Sequence, residues 1–585
     1  MINKLLIRQT QGTWLGFSDP VEVIVARHQD EVLPMFERVQ AKVDAGYYAA
    51  GFVSYEAAPG FDAALVTRDP GQFPLLCFGL YQSPEAMEHV ATSAAEPVIQ
   101  PDHWLLSLDS GGYSQHIDEI KRRIESGDTY QVNYTIRQRA EFAGDPWELF
   151  CSFASDAPYA AFIDIEDYAI CCASPELFFE IKAEIEAELR SGRISTRPMK
   201  GTARRGLTLA EDLVQKKRLG ESRKDRAENI MIVDMIRNDI GRIATTGSVN
   251  VDSTFLVEKY PTLWQMTSSV SAESTASVVS VMQALFPCAS ITGAPKVNTM
   301  AIINSLEPSP RNIYTGSIGF MSPNGDAQFN VAIRTALIDK KKRCLEYGIG
   351  GGIVWDSDAK REYDECLLKA KAIRQPQFGR SFSLIETLLW TPKDRYFLLD
   401  YHLRRLRDSA EYFDIQLDLD EIEGTLLNVS QDFEATAYKV RLLLRRDGEN
   451  TVVSEQFDAA MSKAPGKVAL ARQAVDAGDV FLYHKTTRRD VFEQARDDFR
   501  DCDDVLLWNE KRQMTESTIA NLVIKRKGQL ITPPLSCGLL AGTFRQFLLD
   551  SRQIEEAIIT QDEIKTCPDI YLINSVRRWR KVVLV

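Results

Sequence analysis

Residues 157–181 read APYAAFIDIEDYAICCASPELFFEI, and the apolar segments in this stretch are typical of β-strands. The stretch at 47–57, YYAAGFVSYEA, has the same character. Between the two lies SQHIDEIKRRIESGD at 114–128, where isoleucines recur at the three- and four-residue spacing of a helix. This mixture of strands and polar helices predicts an α+β or α/β protein.

The helix predicted at 114–128 has recognisable ends. Ser114 has the side chain of an N-cap residue, and Gly127 is suited to terminate the helix. The next residues, TYQVNYTIRQRAEF at 129–142, are predicted to form a strand.

The length and charge of the chain limit its organisation and its partners. A chain of 585 residues exceeds what one hydrophobic core supports and predicts more than one domain. Its 44% hydrophobic and 26% charged residues are typical of a globular protein. The net charge of -13 argues against nucleic-acid binding, which needs a basic surface, but allows a basic pocket that holds a small anion.

The cysteines and the lengths of the apolar segments indicate the cellular compartment of the protein. The ten cysteines are scattered without the paired spacing of metal ligands, which favours free thiols in a reducing environment. The N-terminal residues MINKLLIRQTQGTW contain no apolar run of the length that a secretory signal needs. No segment approaches the ~20 apolar residues of a membrane helix. We therefore expect a cytoplasmic protein that does not bind membranes.

A domain boundary is predicted near residue 377. In AIRQPQFGRSFSLIETLLW (372–390) a helical pattern ends before Pro376 and a strand pattern begins afterwards. We therefore expect one domain at 1–376 and a second at 377–585.

TRPMKGT, at 196–202, places one amine, Lys200, in a connection shaped by proline and glycine. If burial or a neighbouring charge lowers its pKa, this amine can act as a nucleophile toward an unsaturated small molecule. A lysine in a turn is more often solvated, and the segment alone does not decide between the two.

Five further blocks accompany this segment. They are SPELFF (174–179), KDRAENIMIVDMIRNDIGRIA (224–244), SITGAPK (290–296), NVAIRTA (330–336) and YGIGGGIVWDSDAKREYDECLLKAKAI (347–373). Together with TRPMKGT they resemble the chorismate-utilising enzymes, a family that includes anthranilate synthase, isochorismate synthase and aminodeoxychorismate synthase component I. The resemblance covers residues 110–375.

This resemblance implies a fold and a role for one residue. The fold is α+β, with a large N-terminal αβ domain that combines antiparallel sheets with helices. A lysine in the PxKGT block, here Lys200, is the mark of aminodeoxychorismate synthase, where it attacks the chorismate ring covalently. Anthranilate synthases carry a small residue at this position.

Two carboxylates, Glu362 and Glu365, lie three residues apart in REYDECLLKAKAI, on one face of a predicted helix. Such a pair is most often a solvated helix face. The resemblance instead implies that both bind Mg²⁺, a hard cation that prefers carboxylate oxygens. Glu228, from the apolar segment AENIMIVDMIRND, is expected to supply a third ligand.

Chorismate carries two carboxylates, so its site needs cationic and amide donors. The resemblance places Arg334 and Lys369 against the substrate carboxylates, and Tyr314 in contact with the substrate. The backbone amides of Gly350 and Gly351, in the GIGGG run, are further expected donors.

One position departs from the family pattern. Many members have a histidine that acts as acid and base where this chain has Gln265, whose amide cannot transfer a proton at neutral pH. The proton is then handled by Lys200 or by a carboxylate such as Glu176, or the hydroxyl leaves with help from the metal. The sequence leaves these alternatives open.

The motifs change beyond residue 380. They are FSLIETLLW (382–390), LLDYHLRRLRDSA (398–410), YHKTTRRDVF (483–492), MTESTIANLVI (514–524), GLLAGTFRQ (538–546) and LINSVRRW (572–579). Their order and spacing resemble the fold type IV enzymes that use pyridoxal phosphate (PLP), which include branched-chain aminotransferases and aminodeoxychorismate lyase. The resemblance implies a smaller α/β module, through which two chains can form a homodimer.

Two residues of this module are expected to contact the reactive part of PLP. By the resemblance, Lys485 binds the cofactor aldehyde and Glu516 pairs with the pyridine nitrogen, which keeps the ring able to accept electrons. From the residues alone, Lys485 is more often a surface lysine in a basic stretch and Glu516 an ordinary acid at the start of a helix.

Other residues are expected to bind anionic groups. Arg405 and the amides of Gly542 and Thr543 match positions that hold the cofactor phosphate. Asn574 and Arg577 are candidates for contact with a substrate carboxylate.

The two resemblances fit successive reactions. The first domain would convert chorismate and ammonia to 4-amino-4-deoxychorismate, and the second would eliminate pyruvate to leave 4-aminobenzoate for folate synthesis. None of the ten cysteines lies in the GxCxG context of a glutaminase nucleophile, so we expect ammonia from a separate glutamine amidotransferase subunit or from solution. The alternatives are an anthranilate or isochorismate product, an amino-acid transaminase in the second domain, and a catalytically silent binding subunit.

Overall fold

The computed structural model describes residues 2–88, 90, 104–186, 189–260, 263–374, 382–458 and 465–585. The chain divides into two compact units. The first consists of Met1–Ala203 and Arg218–Gly379, and the second of Arg204–Lys217 and Arg380–Val585. The domain boundary predicted near residue 377 lies outside the described residues.

The first unit is built on two ten-stranded sheets. Their strands are β1 (Ile2–Arg8), β2 (Trp14–Phe17), β3 (Glu22–Ala26), β4 (Tyr48–Val53), β5 (Leu76–Tyr81), β6 (Glu85–Met87), β7 (Leu105–Leu106), β8 (Gln131–Glu141), β9 (Tyr159–Ile165), β10 (Tyr168–Ser174), β11 (Leu177–Glu186), β12 (Leu189–Arg197), β13 (Met199–Arg204), β14 (Asn250–Lys259), β15 (Leu263–Ser274), β16 (Gly293–Ala294), β17 (Ser317–Met321), β18 (Ala327–Val331), β19 (Thr335–Asp339) and β20 (Cys344–Ile353).

The order in one sheet is β16-β8-β20-β19-β10-β9-β1-β2-β6, with β7 beside β8. The order in the other is β13-β15-β12-β11-β18-β17-β4-β5-β3, with β14 beside β15. The described strand pairs in this unit are antiparallel. The predicted α+β fold with antiparallel sheets is therefore confirmed.

Helices cover the outer faces of both sheets. They are α1 (Gln29–Asp44), α2 (Ala58–Phe61), α3 (Ser110–Glu125), α4 (Pro146–Phe153), α6 (Arg223–Gly241), α7 (Val278–Leu285), α8 (Lys296–Leu306) and α9 (Ala359–Arg374). Of these, α3, α4 and α9 pack on the first sheet, and α1, α6 and α7 pack on the second. The intervening helix α5 (Leu209–Glu221) lies mostly in Arg204–Lys217, which belongs to the second unit.

Side-chain alternation along the strands explains these layers. On β9, Ile163 points into the core between the sheets, and its neighbour Phe162 points toward the helices. Phe52 of β4 meets Ile163 in the inner core, and Phe36 of α1 fills the outer core of the second sheet. Each such buried phenylalanine stabilises the fold by about 1.5–3 kcal/mol.

The predicted strands at 47–57, 129–142 and 157–181 are all present, but helix α3 begins four residues earlier than predicted. Its N-cap is Asp109, whose carboxylate accepts a hydrogen bond from the Gly112 amide at 2.8 Å. The prediction of Ser114 as N-cap was therefore wrong, because burial of Tyr113 favours an extra turn.

The second unit contains two further sheets. Its strands are β21 (Leu384–Thr391), β22 (Arg395–Tyr396), β23 (Tyr438–Leu444), β24 (Asn450–Gln456), β25 (Gly466–Leu470), β26 (Asp504–Trp508), β27 (Met514–Ser517), β28 (Asn521–Arg526), β29 (Gln529–Thr532), β30 (Glu555–Glu556), β31 (Ile570–Asn574) and β32 (Arg578–Leu584). Its helices are α10 (Leu399–Phe413), α11 (Leu419–Gln431), α12 (Asp490–Asp497), α13 (Thr543–Asp550) and α14 (Gln561–Thr566).

The smaller sheet has the order β22-β21-β23-β24, and the larger has the order β27-β26-β25-β32-β31-β28-β29-β30. An additional pairing of β27 with β28 closes part of the larger sheet into a ring. Strand β25 is parallel to both β26 and β32, so this sheet is mixed.

All ten cysteines are free thiols, as predicted. Within the part of the chain that the structure describes, no helix combines the length and apolar character needed to cross a membrane.

Candidate active sites

The first unit contains a cavity of about 220 Å³, to which β13, β20, α6 and α9 all contribute side chains. It brings together every residue predicted for the chorismate site. These are Glu176, Lys200, Glu228, Tyr314, Arg334, Gly350, Gly351, Glu362, Glu365 and Lys369.

Lys200 lies on β13 and its amine reaches β20. A Cβ atom placed on Gly352 would lie 2.2 Å from Lys200 Nζ, so β20 accommodates the amine because residue 352 has no side chain. Burial lowers the pKa of Lys200, and the carboxylate of Glu228 partly opposes that effect. A larger share of the amine is therefore neutral and nucleophilic at pH 7 than in a solvated lysine.

Gln265 supports the segment that carries Lys200. Its Nε2 donates to the carbonyl oxygen of Gly201 at 2.7 Å, and its Oε1 accepts from Thr202 Oγ1 at 3.2 Å. Asn229 Nδ2 donates to the carbonyl oxygen of Lys200 at 3.4 Å. The amide at position 265 thus anchors the strand that carries Lys200, a role that needs no proton transfer.

Glu176 has the properties of a proton carrier. It is buried, and its Oε1 accepts a hydrogen bond from Ser290 Oγ at 2.7 Å. Burial raises the pKa of Glu176 to about 7. A carboxyl group with this pKa can both donate and accept a proton near neutral pH.

The three carboxylates predicted to bind Mg²⁺ line the cavity, but they have other partners. Glu365 pairs with Lys369 at 2.9 Å, and Glu362 accepts a hydrogen bond from Ser357 Oγ at 2.8 Å. Burial raises the pKa of Glu228 and of Glu362, whereas Lys369 lowers the pKa of Glu365. Among the described residues, no three acidic, His or Cys side chains are grouped closely enough to hold a metal ion.

These carboxylates fit Mg²⁺ by their chemistry. Burial disfavours the anionic form of Glu228 and Glu362, and a divalent cation bound by their oxygens would restore it. To share one ion with Glu365, the side chains must turn from their present partners.

Lys369 and Tyr314, two of the predicted substrate contacts, pack on the glycine run of β20. Lys369 Nζ donates to the carbonyl oxygen of Gly350 at 2.8 Å. A Cβ atom on Gly348 would lie 2.3 Å from the ring of Tyr314, so the ring packs directly on the strand. Arg334 lies in the same cavity directly before β19 and has a φ of 50°, a left-handed conformation that is uncommon for a residue other than glycine.

The second unit contains a cavity of about 450 Å³. It brings together every residue predicted for the PLP site. These are Arg405, Lys485, Glu516, Gly542, Thr543, Asn574 and Arg577.

Lys485 and Glu516 both line this cavity, where Glu516 is buried and Lys485 is half-buried. Burial lowers the pKa of Lys485 to about 8 and raises the pKa of Glu516 to about 8. Glu516 accepts hydrogen bonds from Asn521 Nδ2 and from the Leu540 amide, each at 3.1 Å. Burial disfavours the anionic form of Glu516, and a cationic pyridinium beside it would restore that form. A lysine with a lowered pKa reacts readily with an aldehyde, so both residues suit PLP.

Arg405 is fixed by a buried cluster that sequence reasoning missed. Its Nε and Nη2 donate to the Glu386 carboxylate at 2.9 and 2.6 Å, and His402 Nδ1 lies 2.6 Å from the same group. Burial acts to raise the pKa of Glu386, but Arg405 and His402 lower it to about 2. His402 Nε2 is 3.2 Å from Thr543 Oγ1. Glu386 therefore orients Arg405 directly and Thr543 through His402. The sequence feature that could have revealed this role is the single acidic residue in the apolar segment FSLIETLLW.

Gly542 is the N-cap of α13, and a Cβ atom there would lie 1.9 Å from Asn521 Oδ1, so only glycine fits. Asn574 lies at the end of β31. Its Oδ1 accepts from the amide of Arg577 at 2.7 Å and shapes the turn into β32, while the Arg577 side chain is exposed at the rim.

Two family profiles match the chain. Residues 3–375 match the chorismate binding enzymes, and residues 383–585 match the class IV aminotransferases. The chain belongs to the chorismate binding enzyme family and carries a class IV aminotransferase domain after it. Both resemblances seen in the sequence are confirmed, and the second domain implies PLP as cofactor.

Three individual proteins show how similar this chain is to known enzymes and folds. Aminodeoxychorismate synthase component 1 from Klebsiella aerogenes is 38% identical over 316 residues, which are 53% of this chain and 66% of that protein, slightly under two thirds. The structure of the menaquinone-specific isochorismate synthase from Escherichia coli has a TM-score of 0.50 over 64% of this chain and 88% of its own. It is 17% identical to this chain, so the likeness concerns the fold alone. A provisionally assigned amino-acid aminotransferase from Mesorhizobium loti is 35% identical, with a TM-score of 0.34 over 35% of this chain and 100% of its own.

Proposed function

We propose that the first unit adds ammonia to chorismate with loss of water to give 4-amino-4-deoxychorismate, and that the second unit removes pyruvate to leave 4-aminobenzoate. The observation that carries the proposal is Lys200, with a lowered pKa, in the cavity lined by all the predicted chorismate-site residues. The name of the Klebsiella relative supports the same assignment. Lys200 also disfavours an anthranilate product, because anthranilate synthases carry a small residue there.

In the first reaction, the neutral amine of Lys200 would attack the chorismate ring as the C4 hydroxyl leaves. Ammonia would then bond to C4 and release the amine. Glu176, whose pKa of about 7 suits both directions of transfer, would carry the proton. Arg334 and Lys369 would hold the two substrate carboxylates.

Glu228, Glu362 and Glu365 would hold Mg²⁺ in this cavity. The ion would neutralise a substrate carboxylate that these acids otherwise repel and so fix the position of chorismate. The support for this assignment is the chemistry of three carboxylates that line one cavity.

In the second reaction, bound PLP supplies a ring that accepts the electrons released when the C4 proton leaves the substrate. Lys485 would hold the cofactor and, after the substrate amine has displaced it, would take the proton from C4. Glu516 would pair with the pyridine nitrogen, and Arg405, Gly542 and Thr543 would hold the phosphate. Loss of the C4 proton and of pyruvate makes the ring aromatic, which favours the products.

The charges around the second cavity favour a lyase over an amino-acid transaminase. Arg441, Arg488, Arg489 and Arg577 line the cavity. 4-Amino-4-deoxychorismate carries two carboxylates, whereas an ordinary amino acid carries one, so a cluster of guanidinium groups suits the larger dianion.

The remaining assignments concern partners and location. Ammonia would come from a separate glutaminase subunit or from solution, since none of the ten cysteines lies in a GxCxG context. The free thiols support a cytoplasmic enzyme. The class IV aminotransferase match supports a homodimer formed through the second unit.

The test supplies the full chain with chorismate, ammonium, Mg²⁺ and PLP and measures 4-aminobenzoate and pyruvate. Equimolar amounts of both, formed without a keto-acid acceptor, support the proposal. Anthranilate or isochorismate as the product would overturn the first assignment. An aminated product that yields pyruvate at no detectable rate would overturn the second.

Replacement of Gly352 by alanine should slow the consumption of chorismate by about 100-fold, the size of effect expected when a reacting group is displaced by about 1 Å. The new Cβ atom would lie 2.2 Å from Lys200 Nζ and push the amine away, while the flexible lysine side chain lets the fold persist. The measurement is kcat/KM for chorismate. The matched control is Gly241→Ala, where a Cβ atom meets nothing within 4 Å. Equal rates in the two variants would contradict the assigned position of the amine.

Attachment of PLP to Lys485 should become faster as the pH rises through about 8 and then level off. Burial, with Arg405 and Arg489, lowers the pKa of Lys485 to this value against the raising effects of Glu386 and Glu516. Only the neutral amine reacts, so about a tenth of the sites are reactive at pH 7, against less than ~0.1% for an ordinary lysine. The measurement is the rate of absorbance change when PLP is added to cofactor-free chain from about pH 6 to about pH 10. A midpoint above about pH 10 would contradict the prediction.

A further inference from the structure

A short segment from the N-terminal half of the sequence, Arg204–Lys217, packs as part of the second unit. We propose that Arg205 of this segment is a positioning residue for Lys485, acting through Tyr412 and His484. The inference rests on the proposed function of the second cavity. No motif places this segment beside residues that follow it by about two hundred positions in the sequence.

Arg205 is held by a buried ion pair within its own segment. Its Nε donates to both oxygens of Asp212, at 2.7 and 2.9 Å, and the Gly206 amide donates to Asp212 Oδ1 at 2.8 Å. The side chains of Arg205 and Asp212 are 8% and 1% exposed. This bifurcated, charge-assisted hydrogen bond restrains the guanidinium group.

The guanidinium group then fixes Tyr412, near the C-terminal end of α10. Its carbon atom lies 4.4 Å from the centre of the Tyr412 ring, and its Nη2 donates to the Tyr412 carbonyl oxygen at 3.0 Å. In return, Tyr412 Oη donates to the carbonyl oxygen of Gly206 at 2.7 Å. The stacking contact and the hydrogen bond of Tyr412 Oη restrain the ring, and the hydrogen bond from Arg205 Nη2 restrains the backbone of Tyr412.

Tyr412 in turn packs on the residue that precedes Lys485. The rings of Tyr412 and His484 are 4.4 Å apart, and His484 Nδ1 lies 2.9 Å from Ser409 Oγ on α10. Burial lowers the pKa of His484 to about 3, so the ring is neutral and packs by shape. On the other side, the carbonyl oxygen of Lys485 accepts from the Ile385 amide at 2.9 Å. Lys485 is therefore held between β21 and the stack that Arg205 supports.

The same segment offers a matched control. Arg204 and Glu211 form an ion pair with the same seven-residue spacing, at 2.6 Å, but their side chains are 60% and 33% exposed. An exposed pair contributes little to structure. Arg204→Ala thus removes an arginine from the same segment without touching the Tyr412 stack.

The experiment compares the full-length wild type with Arg204→Ala, Arg205→Ala and Arg205→Lys. Two quantities are measured: the affinity for PLP, and the pH midpoint of PLP attachment, trapped with borohydride. We expect Arg205→Ala to weaken PLP binding by at least about tenfold and to move the midpoint to higher pH, because a loosened loop lets water reach Lys485. Arg205→Lys, which keeps the charge but cannot form the planar contacts, should shift both quantities in the same direction. Arg204→Ala should match the wild type within about twofold.

The formation of 4-amino-4-deoxychorismate reports on the integrity of the rest of the chain and should be equal in all four proteins. If Arg205→Ala does not fold, the result for Arg205→Lys tests the role of Arg205. If both Arg205 variants bind and attach PLP as Arg204→Ala does, the role of Arg205 is overturned and the proposed function of the cavity is not. A wild-type chain that forms no borohydride-reducible link with PLP overturns the proposed function of the cavity, and the role of Arg205 with it.

Discussion

Replacement of Lys485 by alanine is expected to stop the release of pyruvate and 4-aminobenzoate while the chain continues to aminate chorismate. Alanine has no amine to hold PLP and none to take the C4 proton. Loss of a general base alone slows a reaction by about 10²- to 10⁴-fold, and loss of the covalent attachment adds to that. The measurement is chromatography of the complete reaction, in which 4-amino-4-deoxychorismate should accumulate.

The control for this variant is Lys511→Ala, which removes an exposed lysine of the same unit. It should form 4-aminobenzoate at the wild-type rate. If Lys485→Ala also forms pyruvate at that rate, the second cavity is not the lyase site. If both products and the aminated intermediate are lost together, the two reactions are not divided between the units as proposed.

The strands were predictable because their signal is local, and the apolar pattern of residues 157–181 gives β9 and β10 directly. The members of both cavities were predictable through the family resemblance. Taken alone, Lys200, Glu362 and Lys485 are more often solvated residues. The structure places these residues around two cavities.

Other features depend on residues far apart in the sequence, and no local pattern encodes them. Glu386 and His402 are 16 residues apart, and their contact forms only when α10 packs on β21. Arg205 reaches Tyr412 across 207 positions. The ring closed by β27 and β28 likewise follows from strand order, which alternation along single strands does not determine.

The two lysines reach a lowered pKa in different surroundings. Around Lys200, Lys369 adds to the effect of burial, and the acids Glu228, Glu365 and Glu176 oppose it. Around Lys485, Arg405 and Arg489 add to the effect of burial, and Glu386 and Glu516 oppose it. Burial is the largest cause at both lysines, and the second amine has the more cationic surroundings of the two.

The Lys200→Ala variant should consume chorismate at least about 10³-fold more slowly than the wild type, since removal of a catalytic nucleophile costs up to ~10⁶-fold in a well-studied hydrolase. Alanine leaves the cavity walls and the carboxylates in place but removes the atom that bonds to the ring. Mass spectrometry gives a second readout. With chorismate and Mg²⁺ but no ammonia, the peptide that contains residue 200 should gain the mass of the dehydrated substrate in the wild type and not in the variant.

Lys360→Ala is the matched control, because Lys360 is 84% exposed on α9 and forms an ion pair with Asp364 on the surface of the same helix. It should keep the wild-type rate and the mass gain. Supplied 4-amino-4-deoxychorismate should still yield 4-aminobenzoate in Lys200→Ala, which shows that the second site is intact. If Lys200→Ala instead aminates chorismate at the wild-type rate, ammonia adds to the ring directly. The amine would then serve only as a charge beside Glu228, and the covalent role proposed for it would fall.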